Sequence, residues 1–209
     1  MNMINAAIFD FGGVIADEGY KNGMHEIAQR NGLDKDEFLK SADEILFSTG
    51  YITGKGSEET YWRALREKTG ISGTSAELRE IIFKGFVVRK WMIEIIQRLR
   101  SRGIRLAVLS DQTNWLSELE ASMKIYSLFE RIFNSYDIGK SKRDITVFTD
   151  VIQAMGLVPE NTLFIDDNAG NVERAMRAGL GAIHYTGKDA FLQRLTSLFP
   201  DLFDRLEGV

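Results

Sequence analysis

The sequence predicts an α/β fold: a parallel sheet with helices on both sides and a helical segment inserted after the first strand. Three observations carry this. Four short apolar runs, Ala6–Phe9, Arg105–Leu109, Thr162–Ile165 and Ala182–Tyr185, each end in a polar or turn-forming cluster, as buried parallel strands do. The later runs alternate with segments of helical spacing, the signature of a sheet crossed by helices. Residues 17–89 have helical patterns and no convincing buried strand.

Taken in order, the first strand is Ala6–Phe9, and "MHEIAQRNG", "DKDEFLKSADEILFSTG" and "SEETYWRALREKTG" follow as helices. The last opens with Ser57 and Thr60 at capping separation and acids in its first turn. Trp91, Ile95, Ile96 and Leu99 then share one helix face before a Ser-Arg-Gly stop, and strand Arg105–Leu109 follows. A helix is expected around Trp115–Met123. Another carries Val147, Val151, Ile152 and Met155 on one face up to Gly156 and leads into Thr162–Ile165. The domain reading is a core of 1–16 and 90–209 with a helical cap over 17–89; helices packed directly on the sheet are the alternative.

Composition bounds the chemistry. A chain of 209 residues with 44% hydrophobic content can bury a real core. A formal net charge of −4, from 26 basic and 30 acidic residues, argues against a nucleic-acid partner. With no cysteine there is no thiolate nucleophile, disulfide or cysteine-bound zinc, and a cytoplasmic location is expected. The N-terminus lacks a signal-peptide pattern and no stretch approaches a membrane span, so no membrane partner is expected. Oligomeric state is not legible.

In an open parallel sheet, ligands gather at the carboxyl ends of the strands. Asp10 follows the first strand, Ser110 and Asp111 the second, Asp166 and Asp167 the third, while Lys142 precedes the helix leading into that third strand. Singly, each has a plain structural explanation: an Asp past a strand as turn former or cap, Ser110 as an N-cap, Lys142 as part of a solvated basic loop. The adjacent pair Asp166-Asp167 is harder to explain so, because two carboxylates at a buried strand end repel unless a cation or proton offsets them. One carboxylate on the first strand and two on the third suit Mg²⁺, which keeps water and substrate phosphate as its other ligands. Asp10 would attack phosphorus in line to form an aspartyl-phosphate that water hydrolyses, with Lys142 offsetting negative charge. No Walker-type loop occurs.

The ordered stretches "IFDFGGVI", "LAVLSDQT", "GKSKRDITVF" and "TLFIDDNAGNVERAMRAGL" resemble the four motifs of the haloacid dehalogenase-like (HAD) hydrolases, in particular phosphatases with a helical cap after the first strand. "GYITGKGSEETYW" is similar to a segment of sugar-phosphate phosphatases in that group. The resemblance implies a Rossmann-like core and a closing cap. It further implies Asp10 as nucleophile and metal ligand, Ser110, Asp111 and Lys142 around the phosphate, and Asp167 as the main fourth-motif ligand. Asp166 would be a second ligand or hold a metal-bound water, and Asn171 would help orient the metal site. The implied function is a Mg²⁺-dependent phosphatase acting on a small phosphorylated metabolite, with a sugar phosphate foremost. A non-catalytic phosphate-binding protein and a metal-independent 2-haloacid dehalogenase are the alternatives.

Three positions depart from that pattern: Asp111 stands where Asn is common, Arg143 where Pro is frequent, and Gly12 where an Asp usually protonates the leaving group and later activates water. In the resemblance the metal contact at position 12 is a backbone carbonyl, which glycine supplies; the proton carrier is lost. General acid/base catalysis is worth about 10²–10⁴ in rate, so slow turnover with a bias to good leaving groups is expected. Asp17, Glu18 or another cap residue could substitute. Tyr20, Tyr51 and Trp62 are candidates to line the cap pocket, whereas His25 and His184 carry no assigned chemistry.

Overall fold

The computed structural model describes residues 3–203. Five parallel strands form one sheet in the order β3-β2-β1-β4-β5: β1 (Ala6–Phe9), β2 (Arg105–Ser110), β3 (Arg131–Asn134), β4 (Thr162–Asp166) and β5 (Gly181–His184). Register sets Phe9 beside Val108 on one flank and Ile165 on the other, so Asp10, Ser110 and Asp166 emerge together at the carboxyl edge. Alternation within each strand sends Ile8, Ala107, Leu109 and Phe164 to one face and Phe9, Leu106, Val108 and Ile165 to the other. Helix α8 (Thr146–Met155) covers the first face with Val147, Phe148, Val151 and Ile152. Helices α5 (Lys90–Ser101), α6 (Trp115–Met123) and α10 (Lys188–Leu198) contribute to the core on the second.

β3 is the strand absent from the sequence reading. Only its Phe133 and Asn134 are buried, and it pairs with β2 alone, so it lacks the continuous apolar run of a strand covered on both sides. The short α7 (Ser135–Ile138) follows it directly, and α9 (Ala169–Arg177) follows β4.

Between β1 and α5 lie α1 (Gly19–Arg30), α2 (Lys35–Ser48), α3 (Glu58–Thr69) and α4 (Ser75–Gly85). Local capping starts three of them: the Asp34 side chain accepts from Asp36 and Glu37 N–H, Ser57 accepts from Thr60 N–H, and Thr74 with Glu77 forms a capping box. α1 packs on α2 and α4, and its Gly23 lies where a Cβ would strike the Ile82 backbone, which lets α4 approach closely. The two ends of the segment meet: Ala16 bridges to Val88, Arg89 N–H donates to Ile15 C=O, and Arg89 Nε pairs with Asp17 at 3.0 Å. Farther out, Tyr51, Tyr61 and Trp62 pack around Trp115 of α6, with Trp62 and Trp115 stacked at 6.0 Å between ring centroids. No helix among the described residues is long and apolar enough to cross a membrane.

Candidate active site

The carboxyl edge of the sheet opens into a cleft of about 410 Å³ between the strand ends and the inserted helices. Lys142 lies at its base, 1% exposed, with Nζ 2.8 Å from Asp10 Oδ2 and 2.7 Å from Asp166 Oδ2. The backbone of Lys142 is held as firmly as its side chain. Its N–H donates to both oxygens of Asp111, at 2.9 and 3.1 Å, and its C=O accepts from Arg174 Nε at 2.7 Å. Burial alone would pull the ammonium's pKa down, but the carboxylates of Asp10, Asp166 and Asp111 hold it well above the lysine range.

Asp10, Asp166 and Asp167 offer carboxylate oxygens that all lie within 4.8 Å of one another. Asp166 is saturated: it accepts from Lys142 Nζ, from Asn168 N–H at 2.7 Å, and from Asn171 Nδ2 at 3.1 and 3.2 Å. Asn171 is itself oriented by Arg174, which donates to its Oδ1 at 2.6 Å. Asp10 accepts from Phe11 N–H at 2.7 Å as well as from Lys142, and among the described residues no cationic or amide side chain holds Asp167. Burial pushes Asp10 well above the usual carboxylate range; Lys142 opposes this and Asp166 and Asp167 add to it. Asp167 is raised by burial and by Asp166. Three carboxylates beside one ammonium leave uncompensated negative charge in a set of oxygen donors, the chemistry a hard divalent cation fits. Asp10 and Asp167 hold the freer oxygens, and Asp166 spends its own on Lys142, Asn168 and Asn171.

Ser110 lines the same cleft. Its Oγ is buried with no hydrogen-bond partner among the described residues. It does not cap α6, whose preceding residue is Asn114. An orphaned buried hydroxyl costs stability, and this one belongs to a residue that lines the cleft together with Asp10 and Lys142. Asp111, expected at the substrate, lines the cleft and turns its carboxylate to the Lys142 N–H, and burial raises its pKa.

The sequence reading missed Asn134 and left Glu18 undecided. Asn134, at the end of the unrecognised β3, is buried; its Oδ1 accepts from Gln112 N–H and its Nδ2 donates to Thr113 C=O, fixing the loop after Ser110. Glu18 reaches the cleft beside Gly12 and Gly13. Burial and the neighbouring Asp167 push its carboxyl up to about 7. Gly13, at φ +78°, admits no side chain, because a Cβ there would run into Asp167 Oδ2 and Glu18 Oε1. Tyr20 lines the cleft, whereas Tyr51 and Trp62 are spent on packing around Trp115. His184, on the exposed end of β5, lies with Nε2 2.9 Å from Asp167 C=O; His25 lies on α1, 3.7 Å from Asp36.

A family model for haloacid dehalogenase-like hydrolases matches residues 4–179. The chain belongs to this family. Among curated relatives, this hydrolase is 24% identical over 204 residues to D-ribitol-5-phosphate phosphatase of Bacteroides thetaiotaomicron, covering 93% of this chain and 98% of that one. It is 26% identical over 121 residues to flavin mononucleotide hydrolase 1 of Arabidopsis thaliana, covering 58% of this chain and only 49% of that relative. Its fold matches a HAD family enzyme of B. thetaiotaomicron with TM-score 0.74 at 20% identity, over 95% of this chain and 99% of the other. A further structure of that enzyme, in complex with magnesium and inorganic phosphate, matches with TM-score 0.70 at 21% identity, over 88% of this chain and 94% of the other.

Proposed function

We propose that this hydrolase is a Mg²⁺-dependent phosphomonoesterase acting on a small phosphorylated metabolite, a sugar phosphate in the first instance, through an aspartyl-phosphate. The observation that carries the reading is the convergence of three groups on one cleft: the Asp10 carboxylate, the buried Lys142 ammonium and the unpartnered Ser110 hydroxyl. Phosphate oxygens would give Ser110 its missing partner, and Lys142 would balance charge gathered at Asp10. Asp10 would attack phosphorus, and the leaving oxygen would depart toward the inserted helices. Asp10, Asp167 and the Gly12 carbonyl would hold Mg²⁺, with Asp166 fixing Lys142 beside them; when bound, the ion would supply charge stabilisation to the phosphoryl oxygens.

Residues 17–89 act in this reading as the cap. They contribute Tyr20, Lys21 and Asp43 to the cleft beside Leu39, Phe47 and Ile52, a mixture of polar and apolar groups suited to a hydroxylated organic moiety. The name of the B. thetaiotaomicron relative, a polyol-phosphate phosphatase, supports the same substrate class. A cytoplasmic location belongs to the same proposal.

The test is a panel of sugar, polyol and acyl phosphates, with chlorinated 2-carboxylic acids as controls, each with Mg²⁺ or EDTA. Phosphate release that needs Mg²⁺ and drops more than about 10³-fold in Asp10→Asn is expected. Chloride release insensitive to EDTA would turn the assignment to a dehalogenase. Phosphometabolite binding without turnover across the panel would turn it to a binding protein.

A further inference from the structure

Gly12 leaves the site without the acid that usually moves the proton, and the structure separates the nearby candidates. Asp17 is committed elsewhere: its carboxylate pairs with Arg89, which also donates to Val14 C=O, so it braces the root of the insert. Glu18 braces no backbone: its side-chain partner is the Asp167 carboxyl, inside the cleft. It occupies the N-cap position of α1 yet makes no side-chain capping bond, and its carboxylate turns back into the cleft. A Cβ built on Gly12 would lie 3.4 Å from Glu18 Oε1, so Glu18 fills the space that a longer side chain at position 12 would enter. We propose that Glu18 is the proton-transferring residue of this site, a carboxylate delivered by the insert to the place where position 12 has none.

This rests on the phosphatase reading. In the first step Asp10 oxygen bonds to phosphorus and the phosphorus–leaving-oxygen bond breaks; that oxygen keeps the electron pair and takes a proton from the Glu18 carboxyl. In the second step water bonds to phosphorus and gives a proton to the Glu18 carboxylate. The bond from phosphorus to Asp10 breaks, its pair returns to Asp10, and phosphate leaves. Glu18 ends each cycle as it began, and the sum is ester plus water to alcohol plus phosphate.

Glu18→Gln keeps the shape and removes the proton carrier. Its turnover of a sugar phosphate, a poor leaving group, is expected to fall by about 10²–10⁴. With p-nitrophenyl phosphate, whose leaving oxygen needs no acid, the first step survives and the second slows, giving a nitrophenol burst and a phosphoenzyme detectable by intact mass. Adding Gly12→Asp to Glu18→Gln should restore at least part of the sugar-phosphate activity, since position 12 has space for a Cβ and the neutral amide at position 18 no longer repels a carboxylate there. Melting of Glu18→Gln at or above the wild-type temperature shows that the loss is not one of folding; Glu18→Ala gives a second variant. Wild-type turnover with Glu18→Gln within about twofold on both substrates overturns the role of Glu18 alone. An equal loss on both substrates with no phosphoenzyme overturns it too. Wild-type protein that hydrolyses nothing in the panel and takes no phosphoryl group overturns the phosphatase reading and this inference together.

Discussion

Ser110 pairs a stability liability with the binding role proposed for it, and the two can be separated. Removing a buried hydroxyl that has no partner relieves a desolvation cost of about 1–3 kcal/mol, so Ser110→Ala should melt at or above the wild-type temperature. The same change deletes a charge-assisted bond to phosphate worth about 1.5–3 kcal/mol. Lower kcat/KM by about 10- to 150-fold, beside an unchanged or raised Tm, is therefore expected; a fall in both would show a structural hydroxyl instead. Asp10, Ser110, Asp166 and Asp167 were legible as neighbours because parallel strands place their carboxyl-end residues together whatever the intervening chain does, whereas Lys142, in the loop before α8, was tied to them by the order of the motifs. What those side chains touch was not legible. Asp111 grips the Lys142 backbone, and Asp166 is saturated by donors 24 residues upstream and 2 and 5 downstream, pairings that only the folded loops create. Glu18 was visible as a candidate, but its reach depends on the angle at which α1 leaves the sheet.

At the scale of elements, helical periodicity identified α5, α8 and the helical nature of 17–89, whereas β3 escaped because an edge strand with one partner needs no unbroken apolar run. Missing β3 also hid Asn134, whose value lies in its position opposite Ser110 in the register. The aromatic cluster joining the insert to α6 spans residues 51 to 136, too scattered for any periodicity to show. Trp115 is fully buried at its centre. Trp115→Ala should cost about 3–5 kcal/mol in denaturant unfolding, and it should also raise KM, because Trp115 lines the cleft. A loss below about 1 kcal/mol would mean that the insert packs on the core through other contacts.

Across the whole molecule, clustered carboxylates make stability depend on pH and metal together. Glu18 has its folded-state pKa raised from 4.5 to about 7, and Asp10, Asp111 and Asp167 are raised in the same direction, each with burial as the first cause. A raised carboxyl stabilises the fold below its unfolded pKa, and that contribution is lost as pH climbs through the folded value. In EDTA the Tm should therefore decline between about pH 4.5 and pH 7. Mg²⁺ should oppose the decline, so that its stabilising effect grows with pH; a metal-induced shift in Tm independent of pH would contradict this. The insert enters and leaves the core through neighbouring backbone, at the Ala16–Val88 bridge, and Glu18 stands just inside that doorway. On the proposed roles, grafting a foreign segment between those two residues would leave Asp10 untouched while removing Glu18 along with the cleft wall that the insert supplies. In such a chimera, leaving-group preference and substrate preference are inherited as one trait.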